Sequence, residues 1–86
     1  MARFYFDIDD GDGYMEDDEG QEMAGPTSAR EAAICVLPNI ARDKLPDGDR
    51  RDYIVRVRDE AGAYVFQATL SLTAEWLGAR PARAWA

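Results

Sequence analysis

The chain has no histidine. That absence removes histidine-based triads and histidine general acid–base work. Only one cysteine is present, Cys35, so an internal disulfide is impossible and a Cys/His zinc site has no ligand set. A thiol nucleophile needs a base or an electropositive setting, and Cys35 has no histidine to serve it. The glycines match no phosphate-cradling G-x-x-x-x-G-K loop. Nor is there an apolar run of about 18 residues, so no membrane span is expected. Basic residues are scarce at one end: Met1 to Pro26 holds one base, Arg3, against nine acids. A chain this acidic is repelled by phosphate backbones, which argues against nucleic acid as a partner. These absences point away from an enzyme, and no catalytic residue, cofactor or metal is expected.

What remains is a small folded protein. Its 86 residues make one domain, and 47% hydrophobic residues suffice for a core. A chain of this length buries only about 60–65% of its unfolded surface, so that core is thin. The net charge of −7 belongs to the N-terminal end, because the stretch from Thr27 onward is nearly balanced. With no signal-peptide pattern and no disulfide, a cytoplasmic setting is expected.

Ser28 to Leu45 reads as the one long amphipathic helix. Ala29, Ala32, Ala33, Val36, Leu37, Ile40 and Ala41 fall on one stripe, and Glu31, Cys35, Pro38 and Arg42 oppose it. Ser28 and Glu31 have capping-box spacing at its start. Pro38 costs the helix a hydrogen bond; a single kinked helix is the favoured reading and a split at Pro38 the alternative. The flanks alternate as strands do. Phe4, Phe6 and Ile8 share one face, with Arg3, Tyr5 and Asp7 on the other. A turn at Asp10–Gly13 leads into a return strand, Tyr14 to Asp17, and a loop then delivers the chain to the helix. Leu45-Pro46-Asp47-Gly48-Asp49 is a stop and turn. Asp52 to Asp59 alternates next, and a loop over Asp59–Gly62 makes a hairpin with the run that places Tyr64, Phe66, Ala68, Leu70 and Leu72 on one side. The expected fold is α+β, in the order β-β-α-β-β, with one helix on one face of a small, mostly antiparallel sheet. Residues 1–74 form the domain, and 75–86 a C-terminal Arg/Trp arm.

One helix covers one sheet face only. The other would show Tyr5, Ile54, Arg56, Val65 and Thr69, a mixture found on dimer and partner surfaces and also on solvated sheets. Tyr5, Ile54, Arg56, Arg58, Val65 and Trp76 are therefore the candidate partner-binding residues. Arg50, Arg51, Arg56 and Arg58 form the basic cluster, with Arg3 expected beside them. Such arginines can dock an acidic partner or pair with acids such as Asp7 or Asp52. The acidic turn Asp7, Asp9, Asp10, Asp12 does not fit an EF-hand, since Gly11 sits where a ligand is needed and Asp12 where glycine is needed. Solvated surface is the simpler reading.

The run Arg3-Phe4-Tyr5-Phe6-Asp7-Ile8, the Asp-Gly turn and the Asp17-Asp18-Glu19-Gly20 step resemble a family of short uncharacterised proteins. So do Ala41-Arg42-Asp43-Lys44-Leu45-Pro46-Asp47-Gly48 and the stretch Val55-Arg56-Val57-Arg58-Asp59-Glu60-Ala61-Gly62. That family, a domain of unknown function, occurs in rhizobia and related alphaproteobacteria. The resemblance spans about Arg3 to Leu72 and implies a bacterial cytoplasmic protein, with no site residues to transfer. The expectation is a non-enzymatic protein-binding module that forms a homodimer through its open sheet face or an edge strand. The alternative is an acidic inhibitor or antitoxin-like protein that occupies a basic partner.

Overall fold

A computed structural model describes residues 1–45 and 48–79. Pro46 and Asp47 of the expected turn, and residues 80–86 of the expected arm, lie outside the described residues. Five strands and one helix follow in the order β1 (Ala2–Asp9), β2 (Tyr14–Met15), β3 (Gln21–Met23), α1 (Pro26–Lys44), β4 (Arg50–Arg58) and β5 (Tyr64–Thr73). The sheet runs β2-β1-β4-β5, and β3 joins β1 as well. Every pairing is antiparallel. The α+β architecture is the expected one, with one strand more.

That extra strand corrects the reading of residues 18–26 as loop. Gln21, Glu22 and Met23 pair with Phe4, Arg3 and Ala2. The return strand is also shorter than expected, only Tyr14 and Met15, which pair with Asp9 and Ile8. β2 and β3 thus share one edge of β1, at its two ends. Between them the edge is taken by a side chain: Asp17 Oδ2 accepts the Phe6 N–H at 3.1 Å. A carboxylate stands in for a strand there.

The core lies where α1 crosses the sheet. Ala29, Ala33, Leu37 and Ala41 are buried against Phe4, Tyr53, Val55 and Val57. The alanines let the helix backbone approach closely, while Leu37 and the strand residues fill the remaining volume. Ala32, Val36 and Ile40 complete the stripe at partial burial, as their positions on the wheel require.

Two local expectations fail. The helix starts at Pro26, not Ser28, and Gly25 is its N-cap with no side-chain cap bond. Ser28 and Glu31 therefore form no capping box. Proline at the first turn supplies the right φ and lacks an N–H that would go unpaired there, so the helix opens without needing the serine. Tyr64 is the second correction. Val57 faces Phe66, but Arg58 faces Tyr64, so Val65 is an extra residue and the register shifts. The bulge moves Tyr64 off the helix side and onto the open face. Pro38 sits exposed within a single helix, so the chain is not split there. Lys44, near the apolar stripe, reaches Asp10 at 3.5 Å.

Candidate partner-binding face

The uncovered face is organised around one buried charge. Asp7 projects from the middle of β1 and is 1% exposed. Arg58 of β4 donates to it twice, from Nε to Oδ2 at 2.7 Å and from Nη2 to Oδ1 at 2.9 Å. The Asp17 N–H donates to Oδ1 at 2.9 Å, and the Tyr64 hydroxyl lies 3.4 Å from Oδ2. Arg58 also donates to the Asp17 carbonyl at 2.7 Å and stacks over the Tyr5 ring, 4.9 Å from its centre. Charge-assisted, two-pronged pairing of this kind satisfies a carboxylate that burial alone would expel.

The charges are held firmly in one state. Arg58 pulls the Asp7 carboxyl below its ordinary range, with the Asp17 N–H adding to the effect, against the burial that pushes it up. Asp7 in turn raises the guanidinium of Arg58. Burial pushes the Asp17 carboxyl up, but the N–H groups of Phe6, Gly20 and Glu19 outweigh it and hold it low. Tyr64, burial and Asp7 push the Tyr14 phenol up to about 12. None of these groups is placed to exchange a proton near neutrality, which general acid–base chemistry demands. Their arrangement fixes shape.

Of the residues expected on this face, Tyr5 and Arg58 come together around Asp7. Arg56 lies beside them, its Nε donating to Gln67 Oε1 at 2.8 Å. Ile54 is half-buried in β4, and Val65 is 48% exposed at the bulge. Trp76 does not join them; it lies beyond the far end of β5, beside Asp49, Ala74 and Glu75. Arg3 lies two residues along β1 from Tyr5, the residue opposite Arg58. It donates to the Glu19 carbonyl at 2.6 Å and pairs with Glu22 at 3.3 Å. The sequence offers Asp7 as a partner for arginine and as part of the acidic turn, not as the centre of the face, and it leaves Asp17, Tyr64 and Tyr14 unmarked. The alternation that put Asp7 on the open face between two arginine-bearing positions was the available signal.

The acidic turn is knit into the fold. Asp9 Oδ1 accepts the Gly11 N–H, and Asp10 Oδ1 accepts those of Asp12 and Gly13. Asp12 pairs with Arg51 at 2.7 Å. No group of three or more His, Cys, Asp or Glu that could hold a metal ion occurs among the described residues. Cys35 is exposed on the outer side of α1. Among the described residues, no helix is long and apolar enough to cross a membrane.

This architecture, a lone helix over an antiparallel sheet with an ordered open face, belongs to a small α+β domain. Residues 3–71 match the family described as a domain of unknown function (DUF6894), and the chain belongs to that family. No curated protein and no solved structure matches it.

Proposed function

We propose that this protein is a non-enzymatic binding module that self-associates, with β5 as the joint. One observation carries the reading. β5 is a ten-residue edge strand, Tyr64–Thr73, that contains neither a charge nor a proline. Among the described residues it pairs with β4 alone. Soluble proteins ordinarily blunt such an edge with lysine, proline, a bulge or short length, and here only the bulge at one end is present. A second copy laid antiparallel along β5 continues the sheet and places the same strand on both sides of a two-fold axis. Both helices then lie on the same side of the joined sheet. Val65, Thr69 and Ser71 would meet their counterparts on the other side. The family resemblance supports a bacterial, cytoplasmic setting for such a dimer.

Sedimentation velocity of the full chain tests this. The expected result is a dimer that the paired substitution Thr69→Lys/Ser71→Lys converts to a folded monomer. A strict monomer at high micromolar concentration would sink the proposal.

A further inference from the structure

The helix leaves part of its own side of the sheet uncovered. Phe6 and Ile8 of β1, with Ala32 and Val36 of α1, form the floor of a groove of about 370 Å³. Its side wall is Met15, which is 68% exposed. The rim is acidic: Glu16, Asp18 and Glu19 border it, all three exposed. Among the described residues none of their side chains comes within 4.0 Å of a cation, although Glu16 lies near enough to Arg58 to raise its guanidinium. The loop that carries them is held in place by Asp17, which accepts the N–H groups of Phe6, Glu19 and Gly20 at 3.1 Å each. An apolar trough with three carboxylates along one edge, on a backbone held by Asp17, is thus present before anything binds.

We infer that this groove docks a segment of a partner protein that carries an aliphatic or aromatic anchor flanked by arginines or lysines. Three features select that occupant. The floor takes an apolar side chain, and the methionine can adjust to its shape. The rim complements cations and disfavours acidic segments. The groove is partly open to solvent, which suits a side chain reaching in from a polypeptide better than a small molecule that needs enclosure on most sides. Because Asp17 orders the backbone of the rim beforehand, docking need not order that loop. This site lies on β1, two strands from β5 in the sheet, so it does not depend on the dimer proposed above.

The test is fluorescence anisotropy on the full chain with two labelled probes. One has a Leu-Trp-Leu anchor flanked on both sides by arginines; the other has the same anchor flanked by glutamates. The arginine probe is expected to bind and the glutamate probe not. Reversing the rim, with Glu16→Lys, Asp18→Lys and Glu19→Lys together, is expected to weaken binding about tenfold. An equal charge change elsewhere, Asp43→Lys, Asp52→Lys and Glu75→Lys, is expected to weaken it far less. Met15→Asp should weaken binding through the wall, and Thr69→Lys/Ser71→Lys should leave it intact. Equal loss in the two triple variants would mean unspecific attraction to an acidic protein and would overturn the assignment. So would equal binding of the two probes. A rim reversal that instead converts a dimer to monomer would assign the groove to a second copy.

Discussion

Arg58 reaches past its directly opposed neighbour to clamp Asp7. The residue across from Asp7 on β4 is Arg56, while Arg58 stands opposite Tyr5. Yet it is Arg58 that holds the carboxylate, at 2.7 and 2.9 Å, and Arg56 turns outward to Gln67. The diagonal choice ties three elements together, because the same guanidinium also holds the Asp17 carbonyl. Arg58→Met would leave a buried carboxylate without its counter-charge, and breaking such a pair costs about 3–5 kcal/mol. The double variant Asp7→Leu/Arg58→Met removes both charges and should recover most of that loss. Urea unfolding of the single and double variants decides it. A single variant within about 1 kcal/mol of the wild type would show that the pair carries little.

The same carboxylates set the response to acid. Asp7, Asp10 and Asp17 all have folded-state pKa values below the ordinary value of 3.8. The unfolded chain therefore binds more protons than the folded one around pH 4, and stability rises with pH there. Their contribution is fully present above the unfolded pKa and is lost as pH falls through the folded values. No histidine titrates between pH 5 and 8. The urea midpoint should be flat from about pH 5.5 to 8 and fall steeply below about pH 4. A clear slope between pH 6 and 7 would contradict this account.

Gly20 marks where the loop must turn back under β1. Its φ is +72°, and a Cβ placed there would lie 2.9 Å from the Phe4 carbonyl oxygen and 2.9 Å from Arg3 Cγ. Gly48 has a similar φ, +86°, but nothing within 4 Å. Both alanine variants incur the left-handed backbone cost of about 1–2 kcal/mol. Gly20→Ala must also push against backbone, so it should exceed Gly48→Ala by at least about 1 kcal/mol in thermal or urea unfolding. Equal losses would mean that the loop shifts freely.

The strands and the stripe were legible because burial imposes a period. Phe4, Phe6 and Ile8 must share a face if one side of β1 is covered, and Tyr53, Val55 and Val57 likewise on β4. Ala29, Ala33, Leu37 and Ala41 repeat at the helical spacing for the same reason. What escaped was structure made by single groups. β3 is three residues long, too short to display alternation. The bulge at Val65 carries no sequence mark, so Tyr64 read as a helix-side residue. Asp17 looked like any loop acid, since nothing in a run of carboxylates says which one faces a bare strand N–H. Ser28 offered a cap, but Pro26 opened the helix first. The candidate face was legible as a face, through the alternation of Tyr5, Asp7, Arg56 and Arg58; its centre at Asp7 was not.

Pro38 is the residue the fold should be able to lose. It lies inside α1, on the exposed side, where it cannot donate to the carbonyl of Ile34. In a helix interior proline costs about 3 kcal/mol relative to alanine. Here Ile34 is 40% exposed, so water can reach the orphaned carbonyl and recover part of that cost. Proline also restricts the unfolded chain, which offsets a further fraction. Pro38→Ala should therefore stabilise the protein by about 1–2 kcal/mol, a rise of several degrees in Tm for a domain of this size. The buried residues Leu37 and Ala41 face the other way and need no repacking. A fall in Tm would show that Pro38 helps to seat the alanine stripe on β4.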